Sequence, residues 1–130
     1  MEEDALRRGL EAAAVLFNRG EYYAAHEALD GLWEATTGPD SDFLKGLIQA
    51  CVAMHHYADG NVDGARKLYS GHRRYLAGYL PEHRGIDVAS FLASMQGTLQ
   101  PVARARPGSE PPFDPDDPEQ RPRLEFVASS

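Results

Sequence analysis

The sequence predicts an all-α protein, a compact bundle of about five helices built from two stacked helical hairpins, with a proline-rich C-terminal strap. Three observations carry that prediction. Apolar residues recur at spacings of three and four through the first hundred residues. Turn residues at Gly20, Thr37-Gly38-Pro39, Gly60 and Pro81 interrupt the pattern at intervals of about one helix. Seven of the nine prolines lie at or beyond Pro101, so the composition changes there.

The elements follow in order. Leu6, Leu10, Ala13, Ala14 and Phe17 form one apolar stripe, and Gly20 in Asn18-Arg19-Gly20 is the expected left-handed cap of the first helix. A second helix is predicted over about 21–35. Thr37-Gly38-Pro39 breaks it, and Asp40 or Ser41 can cap the third. The third helix, about 42–58, is apolar most of the way round and is the expected central helix. Asp59-Gly60-Asn61 turns into a fourth over about 62–79, with Asn61 as N-cap and Pro81 as stop. Asp87 can cap a fifth helix that carries Phe91, Leu92, Met95 and Leu99 on one face. Residues 1–100 are therefore the expected helical domain and 101–130 an extended or partly disordered tail. Proline removes a backbone donor and clashes with the preceding turn. Phe113, Leu124, Phe126 and Val127 are the residues that could anchor the tail on the body.

A weak internal repeat joins the two hairpins. Gly20-Glu21-Tyr22-Tyr23-Ala24-Ala25 matches Gly60-Asn61-Val62-Asp63-Gly64-Ala65 at an offset of 40. In each copy a turn glycine opens a helix and an alanine follows five residues later. The pattern is like the turn of tetratricopeptide-type hairpins, although the period is not 34 and two copies are too few for a solenoid.

Composition excludes several functions. At 130 residues the chain suits one domain. Its net charge of -7 argues against non-specific nucleic-acid binding, which needs a basic face. A single cysteine, Cys51, excludes an internal disulfide framework and any multi-cysteine zinc site, and on an apolar helix it reads as an inert core residue. The acidic start MEEDALRR has no apolar signal core, and no apolar run reaches the ~20 residues that span a bilayer. A soluble, acidic, cytoplasmic protein, monomer or homodimer, is expected. No phosphate loop, dinucleotide fingerprint or flavin motif occurs. His72 and His83, among Arg73, Arg74 and Arg84, read as solvent-facing; that locally basic stretch could take an anionic ligand.

The chemistry-bearing residues lie on the second and third helices. At about 100° per residue, His26, Asp30 and Trp33 share a narrow face, Tyr22 flanks it, and Glu27 lies a quarter-turn away. Gln49, Ala53 and His56 share a face of the third helix, while His55 sits at its edge. Small residues Ala25, Gly31, Gly46, Ala50 and Ala53 would let the two helices approach, bringing His26, Asp30, Gln49 and His56 together. An imidazole beside a carboxylate can be a general base, a ligand for a divalent metal, or a satisfied buried network. The catalytic candidates are His26, Glu27, Asp30 and His56. The binding candidates are Tyr22, Trp33, Gln49 and Asn61. The metal candidates are His26, Asp30 and His56; His26-Glu27-x-x-Asp30 lacks the second histidine of a zincin helix.

LFNRGEYYAAHEALDGLW followed by FLKGLIQACVAMHHYADGNVDGA resembles the domain of unknown function 309 family, a group of small all-helical bacterial and archaeal proteins. The matching positions are Phe17, Asn18, Gly20, Tyr23, Ala25, His26, Glu27, Asp30 and Trp33, then Gly46, Leu47, Ile48, Gln49, His56, Gly60, Asn61, Gly64 and Ala65. Asp30 departs from the family pattern, which has Glu there. The resemblance covers residues 5–70 and implies a compact helical bundle with no agreed activity. Three functions remain open. One is a binding or interaction module for a small molecule or protein, using the groove between hairpins. Another is a small hydrolase, metal-dependent or His/acid, using His26, Asp30 and His56. The third is a purely structural polar cluster.

Overall fold

The computed structural model describes residues 2–105 and 114–128. Five helices account for most of it: α1 Glu3–Asn18, α2 Tyr22–Glu34, α3 Asp40–Ala58, α4 Val62–Leu76 and α5 Val88–Arg104. A 3-10 turn, Ala77–Tyr79, and a two-stranded hairpin, β1 Glu82–His83 and β2 Ile86–Asp87, join α4 to α5. The protein is all-α, as its periodicity predicts. Each helix packs on the next in sequence, and α3 lies between α2 and α4. Burial follows the apolar stripes: Leu10 and Ala13 of α1, Ala25 of α2, Leu44, Ala50, Ala53 and Met54 of α3, and Met95 of α5 are fully enclosed. Phe17 makes edge contacts with Tyr22 at 5.2 Å and with Phe91 at 5.5 Å, so α5 reaches back over the first hairpin.

The 40-residue repeat is present atom for atom at the two hairpin turns. The Gly20 amide donates to Phe17 O at 2.9 Å and the Glu21 amide to Leu16 O at 2.9 Å. One repeat on, Gly60 donates to Tyr57 O at 3.0 Å and Asn61 to His56 O at 2.8 Å. These paired bonds satisfy the last orphan carbonyls of α1 and α3 and require a left-handed residue. Gly20 and Gly60 supply it, at φ 83° and 82°. Ala25 and Ala65 are both buried, as the close packing of each second helix demands.

Asn61 caps α4 by accepting from the Gly64 amide at 2.9 Å, and Asp87 caps α5 by accepting from Ser90 at 3.0 Å. Asp40 does not cap α3; Pro39 holds the cap position and Asp40 is the first helical residue. α4 ends at Leu76, earlier than the pattern predicts. α5 runs through Pro101 to Arg104, beyond the expected boundary at residue 100. The described C-terminal residues pack on the body. Asn18 bonds Leu124 reciprocally, Nδ2 donating to Leu124 O at 3.0 Å and Oδ1 accepting from the Leu124 amide at 2.8 Å. Leu124 is buried, Phe126 sits beneath Arg7 at 4.0 Å, and the Val127 amide donates to Gly85 O at 2.8 Å while its side chain stays exposed. Phe113 lies outside the described residues.

Two further expectations fail. His72 is fully buried, on the stripe Ala65–Tyr69–His72–Leu76. A helix turns about 100° per residue, so the arginines that follow it point elsewhere. His83 is only partly exposed, because the hairpin folds it against α3.

Candidate functional site

The close approach predicted between α2 and α3 occurs instead between α3 and α4. A Cβ on Gly46 would stand 2.7 Å from Leu76, whereas Gly31 of α2 has nothing within 4 Å. Gln49 and His56 follow that seam. The Gln49 side-chain oxygen occupies the space where a Gly71 Cβ would be, and it is buried with no hydrogen-bond partner. His56 lies against Gly64, with its Nδ1 3.3 Å from Asn61 Nδ2. The amide can donate only to the tautomer protonated on Nε2.

The α2 candidates stand apart from this pair. His26 is half-buried, and its Nδ1 is enclosed without a partner. Asp30 is half-buried and Glu27 exposed, and neither makes a hydrogen bond or ion pair among the described residues. Trp33 carries Lys45 Nζ 4.6 Å from its ring centre. The Tyr22 hydroxyl is buried and unpartnered; burial pushes its pKa up to about 12, although Arg121 pulls it back. Among the described residues no three His, Cys, Asp or Glu side chains gather closely enough to hold a metal ion. Cys51 is fully buried, and burial pushes its thiol well above the ordinary range, which fits an inert core residue.

What does converge is a strip of rings across the α2–α3 seam. Tyr23, 55% exposed, has His26 at 5.5 Å and His55 at 5.4 Å. His55 leads to His56 at 6.2 Å and lies 3.4 Å from Asp59 one turn on. Two antiparallel helices produce this ladder, which pairs Trp33 with Lys45 at one end and Tyr23 with His55 at the other. Periodicity finds His26 and His56 but misses Tyr23 and His55, because both lie at the edges of their helical faces.

A second polar cluster was not foreseen. Arg84 and Gly85 form a two-residue turn with both φ positive, 52° and 84°, which matches the twist of the β1–β2 hairpin. That turn places Arg84 on Asp40, with Nη2 2.7 Å from Oδ2 and Nε 3.1 Å from Oδ1. His83 Nε2 lies 2.7 Å from Asp40 Oδ1, with the ring held between Phe43 and Tyr79. Arg84 also reaches Glu3 at 3.0 Å. The guanidinium bonds hold the Asp40 carboxyl below the usual carboxylate range. The arrangement fastens the hairpin to the N-terminus of α3, where a negative charge also favours the helix dipole.

Fold and site define a small helical-hairpin domain bearing a half-exposed ring strip. Residues 10–68, from the middle of α1 through the first half of α4, match the family described as domain of unknown function (DUF309). An uncharacterized protein of Aquifex aeolicus (strain VF5) is 26% identical over 91 residues, which are 69% of this chain and 27% of that protein. The uncharacterized protein YpuF of Bacillus subtilis (strain 168) is 30% identical over 88 residues, 63% of this chain and 49% of the relative. The chain thus spans half or less of these relatives. Among the described residues no helix is long and apolar enough to cross a membrane.

Proposed function

We propose that this protein is a cytoplasmic binding module, whose contact surface is the strip formed by Tyr23, His26 and His55. One observation carries the reading. Tyr23 stands 55% exposed between two imidazoles, beside a buried His26 Nδ1 that has no partner. A fold gains little from leaving a large ring in water, and an enclosed polar atom without a partner costs about 1–3 kcal/mol. A planar ligand group stacked on Tyr23 would take that exposed ring out of water. The hairpins would then serve as tetratricopeptide-type units do, by presenting side chains along a helix seam.

The test is a fragment screen on isotope-labelled protein by NMR. Planar polar fragments should shift the signals of Tyr23, His26 and His55 together. Fragments that bind only elsewhere, or none that bind at millimolar concentration, would refute the reading.

A further inference from the structure

The face opposite in character to the rest of the chain lies between α4 and α5. From Gly64 to Pro81 and from Val88 to Ala105 the sequence contains no Asp or Glu, although the chain has twenty. The same two stretches hold Arg66, Lys67, Arg73, Arg74 and Arg104. Arg73, Arg74, Lys67 and Arg104 form no ion pair among the described residues, and all four are exposed. A protein of net charge -7 could neutralise these cations with its own carboxylates, and among the described residues it does not.

The cations border a groove of about 610 Å³. Arg73 and Arg74 line its α4 side, Ala77 and Leu80 one end, and Leu92 and Gln96 its α5 side. Leu80, at one end of the groove, is 50% exposed. A second groove along α5, bordered by Gln100 and Arg104, shares Gln96 with the first. Apolar floor and cationic rim together set the chemistry of an occupant: apolar side chains over Leu80 and Leu92, and carboxylates toward Arg73, Arg74 and Arg104. Guanidinium groups bind carboxylates in bidentate fashion, and a groove between two helices suits a third.

We infer that the α4–α5 groove is a docking site for an acidic, amphipathic helical segment of a partner protein. Charge complementarity chooses this occupant. An RNA strand or an anionic membrane presents a wide field of negative charge, which the other carboxylates of this chain repel. A single helix can lay its acids along this face, which carries no carboxylate from residues 64–81 or 88–105. This site is separate from the ring strip and does not depend on it.

Fluorescence anisotropy on the full chain tests the proposal with three labelled helical peptides. One combines leucines with glutamates, the next replaces the glutamates with lysines, and the last replaces the leucines with glutamines. The leucine–glutamate peptide should bind, the other two should be at least about tenfold weaker, and binding should weaken with added salt. Arg73→Glu with Arg74→Glu should cut affinity by about tenfold or more. Arg73→Gln with Arg74→Gln, which leaves no new charge, should show the same direction with an unchanged melting temperature. Phosphatidylglycerol vesicles and a single-stranded RNA oligomer complete the set. Preferential binding of either over the peptide would overturn the proposal. So would peptide binding that ignores both arginine pairs, or no binding at millimolar peptide.

Discussion

Replacing Asp40 with alanine removes the anchor of the β1–β2 hairpin. Its carboxylate accepts from Arg84 at 2.7 and 3.1 Å and pairs with His83 at 2.7 Å, and its side chain is only 12% exposed. Hydrogen bonds to charged groups contribute about 1.5–3 kcal/mol each when fully buried. Arg84 is about one-third exposed and regains water when its partner leaves, which lowers the cost. The expected loss is about 2–3 kcal/mol, or roughly 6–12 °C of melting temperature for a chain of this size. Glu3→Gln touches the same guanidinium through a carboxylate that is 83% exposed, and should cost less than about 0.5 kcal/mol. Urea denaturation at pH 7 of Asp40→Ala, Arg84→Ala and the double variant separates pair energy from context. The pH dependence has a definite sign. The folded pKa of Asp40 is lowered from 3.8, so the stabilisation is complete above about pH 4 and is lost as pH falls through the folded value. Wild type and Asp40→Asn should therefore draw together in stability as pH falls through that folded value. A loss below about 0.5 kcal/mol at pH 7, or a gap that persists unchanged in acid, would refute the reasoning.

Other perturbations test other parts of the fold. Burial lowers the His72 pKa from 6.5 to about 4, so the unfolded chain takes up a proton that the folded chain refuses. Stability should fall by about 2–3 kcal/mol between pH 6.5 and 4, and His72→Gln should flatten that slope in denaturation profiles. Gly71→Ala drives a methyl into the Gln49 amide and should cost about 1–3 kcal/mol, and Gln49→Ala in the same chain should recover most of it. Asn61→Ala removes the α4 cap and should cost about 1 kcal/mol by thermal denaturation. Leu124→Ala empties a buried position and should cost about 2–4 kcal/mol; an unchanged melting temperature would detach the C-terminal segment from the folded unit.

Local signals in the sequence are the ones the fold obeys. Gly20 and Gly60 sit where a left-handed residue must end a helix, and Asn61 and Asp87 sit where an orphan amide needs an acceptor. The stripe Leu6–Leu10–Ala13–Phe17 is buried as its spacing demands. Tertiary choices were not legible. α3 is apolar nearly all round and has a neighbour on each side, so spacing alone does not tell whether Gln49 and His56 face α2 or α4. Gly71 and Gly64 decide it, by leaving room on α4. Asp40 and Arg84 are 44 residues apart, and only the hairpin turn unites them. Its signal was present in the Arg84-Gly85 pair, which can adopt two consecutive positive φ values. The burial of His72 was also legible, since it falls on the stripe of Ala65, Tyr69 and Leu76; its arginine neighbours masked it.

The central claim is that the Tyr23–His55 strip serves a ligand and not the core. Melting temperature and fragment affinity, measured together on Tyr23→Ala/His55→Ala, test it most directly. The account predicts a melting temperature within about 3 °C of wild type and loss of fragment binding, because exposed rings contribute little to stability. A fall of more than about 6 °C, about 2 kcal/mol for this size of chain, with affinity unchanged for the folded fraction, would contradict it.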